Sequence, residues 1–263
     1  MNAKKISLRI LKIFGVALFW IAVWCAISFR INSELLFPTP ISVFNALEEL
    51  VVTAEFWATA GASLLRIVLG ILLSIVIGTL LAVATERSKI LSALLSPILA
   101  VVKATPVASF IILALLWITR DALPLFITAL IVVPIVWSNV SEGIRSVDKN
   151  LVEVTRIYKF TPAKKLFKLY IPSVAPFFMA ACRSSLGMAW KAGISAEVLS
   201  TPKSAIGTEL YLSKTYLETP SLFAWTLVVI VLSIIIEKLF VYGLEALAKK
   251  LRVMRKGADN VEA

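Results

Sequence analysis

The chain has 263 residues, 59% of them hydrophobic, with mean hydropathy +0.91 and a formal charge of +11. Soluble domains are close to half apolar, so this composition excludes an ordinary soluble domain and points to a membrane protein. There is no His, which removes the commonest metal ligand and general base, and the basic excess has a membrane explanation because cytoplasmic loops collect Lys and Arg.

A helical span needs about 20 apolar residues. Six runs meet that length: 11–31, 59–83, 91–118, 122–141, 171–195 and 221–244. The first, with its apolar core at Ile13 to Phe29, is too long for a signal peptide and lacks a small-residue cleavage site, so a retained span is expected. After it, Thr39 and Pro40 suit a helix N-cap and first position, and Val43, Phe44, Leu47, Leu50 and Val51 follow helical spacing. A short helix on the outer surface is expected there. The second run carries Gly70, Ser74, Gly78 and Ala82 four residues apart, a ridge that lets helices approach closely in lipid. Pro97 and Pro106 interrupt the third run and Pro134 the fourth; such breaks need neighbouring helices to satisfy freed carbonyls. Cys25 and Cys182 lie inside apolar runs, so neither a metal site nor a disulfide framework is expected.

Basic residues set the orientation. With residues 1–10 inside, the inner loops and ends receive Lys4, Lys5, Arg9, Lys12, Arg87, Lys89, Arg145, Lys149, Arg156, Lys159, Lys164, Lys165, Lys168, Lys249, Lys250, Arg252, Arg255 and Lys256. The outer face receives Arg30, Arg120, Lys203 and Lys214. This asymmetry predicts six spans with both termini cytoplasmic. The expected fold is an all-α polytopic bundle: a cytoplasmic N-terminus at 1–10, a transmembrane domain at 11–250, and a cytoplasmic tail at 251–263 whose last segment, GADNVEA, is expected to be polar and disordered.

The loop 142–170 then faces the cytoplasm. Asn150 is placed to cap a helix running to about Tyr158, and Thr161 with Pro162 to start a second running to about Tyr170. Leu151, Val154, Ile157 and Tyr158 give the first an apolar stripe, and Leu166, Phe167 and Tyr170 give one to the second. A loop that merely fixed topology would need the lysines but not two capped helices with apolar faces. A surface for a partner explains both.

Glu153-Val154-Thr155-Arg156, followed by Ile171-Pro172, resembles the EAA loop of binding-protein-dependent ABC importer permeases, with Val154 and Thr155 in place of two alanines and Lys159 in place of a glycine. LLFPTPISVF, SLLRIVLGILLSIVIGTLLA, SPILAVVKATPVASFIILALLW, VVPIVWSNVSEGIRSVD and AWKAGISAEVL resemble, in order, segments of the nitrate/sulfonate/taurine-type branch of that family, over about 35–243. The resemblance implies a six-span subunit of a type I importer, commonly a homodimer. Two cytoplasmic ATPases, which hold the ATP and Mg, would dock on Glu153, Val154, Thr155, Arg156, Tyr158, Lys159 and Phe160. A solute-binding protein would deliver substrate from outside. No cofactor is expected in this chain.

Charge inside apolar runs is expensive and marks protein- or water-facing positions. Lys103, Arg183, Trp190, Lys191 and Glu197 are the candidate pathway residues, with Arg183 near the middle of the fifth run; Arg66, on the small-residue ridge, reads as structural. A membrane enzyme would need clustered acids, a metal set or a nucleophile–base pair, and the carboxylates here cluster outside the spans. A secondary transporter would favour inverted repeats and mid-membrane acids, and neither is visible. No GxxxxGK(S/T) pattern is present, so this chain is not expected to bind ATP by a P-loop itself. The basic positions suggest an anion such as a sulfonate, taurine, nitrate or bicarbonate; a pyrimidine precursor or vitamin-like ring compound is the alternative.

Overall fold

The computed structural model describes residues 3–261. The described residues form helices joined by turns and loops, without strands: α1 (Ala3–Ile31), α2 (Pro40–Val51), α3 (Ala54–Arg87), α4 (Lys89–Ala104), α5 (Val107–Ala114), α6 (Leu123–Arg145), α7 (Lys149–Ile157), α8 (Pro162–Lys165), a π-helical turn (Leu166–Tyr170), α9 (Ile171–Ser200), α10 (Ile206–Thr215) and α11 (Thr219–Val261). The short helix expected after the first span is α2, and Thr39 caps it, its Oγ1 accepting from the Ser42 N–H at 3.1 Å.

Among the described residues four helices are long and apolar enough to cross a membrane by themselves: Phe14–Ile31 of α1, α3, α6, and Thr219–Leu244 of α11. The third expected run is not one rod. It breaks into α4 and α5, which meet at 106°. Pro106 cannot donate a backbone hydrogen bond and pushes Thr105 into an extended conformation, φ −84° and ψ 133°. The fifth run lies in α9, whose 30 residues span about 45 Å. Arg183, Lys191 and Glu197 keep it less apolar than the four. Six even rods are thus four, one bent pair and one long helix studded with charge.

Three helices form the centre. The small residues of α3 pack on α6: a Cβ on Gly70 would stand 3.1 Å from that of Thr128, and one on Gly78 would stand 2.9 Å from the Val133 carbonyl oxygen. A side chain at Gly78 would therefore push the two backbones apart. The pairing continues through Trp137, whose Nε1 donates to Thr85 Oγ1 at 2.9 Å, and ends at the Arg145–Glu86 ion pair, 2.7 Å. Residue numbers rise together along this seam, so α3 and α6 run in the same direction. α9 runs against both, with Gly143 against Phe177 near one end and Gly193 against Ile67 and Thr128 near the other. Ile67, Ile71, Val132, Val136 and Leu186 fill the space between.

The remaining helices wrap this centre. Phe56 of α3 stacks on Trp225 of α11 at 5.1 Å, and Trp24 of α1 meets Phe37 and Phe223 edge-on or tilted. The segment 257–261, expected to be a disordered polar tail, instead continues α11 as helix.

Candidate functional site

Two constructions occupy opposite ends of α9, an exposed elbow before its first turn and a buried polar clasp at its last.

The elbow comprises α7, α8 and the π turn. Asp148, and not Asn150, caps α7: its side chain accepts from the Asn150 N–H at 2.8 Å. Both residues are good caps; the two-residue shift lets α7 begin at Lys149 and carry Asn150 inside. At the other end the Phe160 N–H donates to the Thr155 carbonyl at 2.9 Å and the Lys159 N–H to that of Arg156 at 3.0 Å. These two bonds are a Schellman closure, which needs a left-handed residue between them. Lys159 takes that conformation, φ 49°. The glycine position of the resembled motif is therefore the left-handed position of this helix stop, and lysine occupies it. Thr161 caps α8 as expected, accepting from the Lys164 N–H at 3.3 Å, and Lys164 Nζ lies 4.7 Å above the Phe160 ring. α8 then passes through the π turn into α9 with Pro172 in its first turn, so the second short helix and the fifth span are continuous.

α7 buries Thr155 alone of its nine residues. Ile157 is 76% exposed, Tyr158 73% and Phe167 67%, and Leu151 and Val154 are also open. Glu153, Arg156 and Lys159 are exposed and Phe160 is half-buried. The predicted loop residues thus come together on one small knob whose apolar face the other described residues leave bare.

At the clasp, Glu197 is fully buried. Its Oε1 accepts from Arg66 Nη1 at 2.7 Å, and its Oε2 from Ser63 Oγ at 2.8 Å and the Gly207 N–H at 3.2 Å. Ser63 Oγ also accepts from the Ile206 N–H at 2.8 Å, and Arg66 Nη2 donates to the Lys203 carbonyl at 3.3 Å. The Lys203 N–H in turn donates to Asp121 at 3.1 Å. Both carboxylate oxygens and the first turn of α10 are satisfied by one set of bonds, as a buried charge requires. Gly207 makes the approach possible: a Cβ there would fall 2.3 Å from that of Glu197. The sequence marked Arg66 as structural but named no partner for it, and Ser63, Gly207 and Asp121 carried no signal.

The other pathway candidates separate. Trp190 is buried, and its Nε1 donates to the Val229 carbonyl of α11 at 3.3 Å, which ties α9 to α11. Lys191 and Arg183 are exposed on α9. Lys103, exposed at the end of α4, donates to Ser138 Oγ of α6 and lies 5.7 Å over the Trp137 ring.

The model of the binding-protein-dependent transport system inner membrane component family matches residues 70–252, most of the chain. The chain belongs to that family. SsuC of Bacillus subtilis (strain 168), which bears the name aliphatic sulfonates transport permease, is 28% identical over 206 residues, covering 78% of this chain and 74% of its own. The taurine transport system permease TauC of Escherichia coli (strain K12) is 23% identical over 235 residues, 87% of this chain and 83% of its own. The bicarbonate transport system permease CmpB of Synechocystis sp. is 26% identical over 159 residues, 58% and 54% respectively. The crystal structure of a bacterial alginate ABC transporter, in complex with alginate pentasaccharide-bound periplasmic protein, contains a chain that superposes with a TM-score of 0.56 at 13% identity. The match covers 95% of this chain and 98% of that one. An amino acid ABC transporter gives 0.51 at 17%, over 75% and 89%. At these identities the structures establish a shared fold. The protein is a multi-pass membrane permease of the ABC transporter class.

Proposed function

We propose that this permease forms the pathway of an ATP-driven importer for a small anionic solute and couples to its motor through the elbow at 151–172. The observation that carries the coupling role is the bare knob: a doubly capped pair of short helices whose Ile157, Tyr158 and Phe167 remain open. A hydrophobic face held in a defined shape and left uncovered suits a docked partner. Its five basic residues, Arg156, Lys159, Lys164, Lys165 and Lys168, support a position on the cytoplasmic side, where an ATPase works. ATP and Mg belong to that partner, two copies of which serve a homodimer of permeases, and a solute-binding protein delivers cargo to the opposite face. Movement of the elbow would swing α9 as a lever, a rigid-body change between two packed states.

The anionic class is supported by the relatives, whose names specify sulfonates, taurine and bicarbonate, and by cations in the apolar helices. The coupling role is tested by Glu153→Ala and Arg156→Ala in the complex with its ATPase. Each is expected to lower ATPase co-purification about tenfold, as loss of a hot-spot contact does, without changing membrane insertion. Unaltered co-purification and transport contradict a docking role.

A further inference from the structure

Lys103 and Arg66, two cations of the membrane-embedded helices, are held in different ways. Arg66 is neutralised by Glu197 at 2.7 Å. Lys103 has no carboxylate within 4.0 Å among the described residues; its partners are the Ser138 hydroxyl and the Trp137 ring. Ser138 in turn donates to the Pro134 carbonyl at 2.9 Å, which leaves its oxygen lone pairs for the ammonium. The side chain is thus held against α6. Ser138 lies seven residues before Arg145, so the ammonium sits about 10 Å along α6 from that helix end. The adjacent Thr105–Pro106 break stops α4 at this depth, where α5 turns away by 106°.

The antiparallel seam of α6 and α9 fixes a second cation at the same height. Gly143 faces Phe177 and Gly193 faces Thr128, and each step along one helix is matched by a step back along the other. Arg183 is therefore level with Trp137 and Ser138. Lys191 follows two turns farther from the elbow. Lys103, Arg183 and Lys191 are all exposed, whereas Glu197 and Trp190, the other two pathway candidates, are buried.

We infer that Lys103, anchored by Ser138 and level with Arg183, is the contact that selects a small oxyanion at one depth of the pathway, in the half of the membrane nearer the elbow. The inference rests on the importer reading and specifies its substrate class: a singly charged carboxylate, sulfonate or bicarbonate group. An ammonium with one donor engaged offers two more to such a group, and the low-dielectric surroundings strengthen both bonds. The neighbouring Trp137 ring, itself fixed by Thr85 at 2.9 Å, gives Lys103 a defined position without neutralising it. A carboxylate partner would have cancelled the charge; a hydroxyl and a ring leave it available.

The test uses the whole complex of permease, ATPase and binding protein in phosphatidylcholine vesicles, with labelled taurine, ethanesulfonate and bicarbonate as probes. Lys103→Met should lower uptake of the transported probe about tenfold or more, as removal of one partner of a close charge contact does, while membrane insertion and co-purification with the ATPase stay unchanged. Lys103→Arg should restore most of the uptake. Ser138→Ala, which removes no charge, should raise the apparent KM with the maximal rate kept, and it serves where Lys103→Met does not assemble. Wild-type rates in both Lys103→Met and Ser138→Ala overturn the inference and leave the importer reading standing. A wild-type complex that takes up no anionic probe but hydrolyses ATP in response to a neutral solute overturns the anionic reading, and this inference with it. An anionic lipid headgroup has the same chemistry. If the Lys103→Met defect appears only when phosphatidylglycerol is added, the residue serves lipid and the inference falls.

Discussion

The two ends of α9 use charge and apolar surface in opposite ways. At the clasp, a buried carboxylate is closed in by Arg66, Ser63 and Gly207, and every bond is made within the chain. At the elbow, the backbone is capped as carefully, by Asp148, the Schellman closure and Thr161, yet the side chains point outward. Internal saturation marks a part that holds its shape for the molecule's own sake. A rigid backbone with bare side chains marks a part shaped for something else. The helix between them is long enough to carry a displacement from one membrane face to the other.

The contrast breaks most visibly at Arg66. Arg66→Ala leaves Glu197 charged and buried without its ion partner, which costs about 3–5 kcal/mol. The expected outcome is loss of folded protein in the membrane, with α10 released from α3 and α9, read as protease sensitivity between 201 and 218. Wild-type yield and protease resistance would show that the clasp does not hold that end.

A smaller and opposite effect is expected at the elbow. Lys159 holds φ at 49°, a conformation that costs a non-glycine residue about 1–2 kcal/mol. Lys159→Gly should therefore raise the stability of the purified permease, by about 1 kcal/mol after the extra chain entropy of glycine, and keep ATPase binding. A drop in stability would mean that the lysine side chain contributes more than its backbone costs.

The smallest effect concerns Glu209 on α10, whose carboxyl pKa is raised above the usual carboxylate range, by burial first and then by Glu55 and Glu218. A raised carboxyl binds its proton more tightly in the folded state, so folding loses stability as pH climbs from the ordinary carboxylate value through the raised one. Glu209→Gln should remove that loss, a gain of about half a kcal/mol after solvent screening. The gain should be present at pH 7 and absent near pH 4 in thermal unfolding. A pH-independent effect would assign it to packing.

What the sequence made legible is what local chemistry decides. Thr39 and Thr161 cap where a threonine precedes a proline, and the Gly70–Ala82 ridge packs because small residues four apart share a face. Near-ties were not legible: Asp148 and Asn150 are equivalent caps by type, and only the path leaving α6 chooses between them. Long-range pairs were not legible either. Arg66 and Glu197 stand 131 residues apart, and nothing near either one names the other. Pro106 announced a break but not its angle, because the turn depends on where α5 finds Ala192 and Ala196 of α9 to pack against.

The central claim is that the elbow faces the cytoplasm and touches the motor. A photoreactive residue in place of Tyr158, 73% exposed, measures both in one experiment on membranes containing the assembled transporter. The account predicts a cross-link to the ATPase subunit that is lost when the ATPase is stripped from the cytoplasmic face. Cross-linking to lipid alone, or to the solute-binding protein on the opposite face, would contradict it.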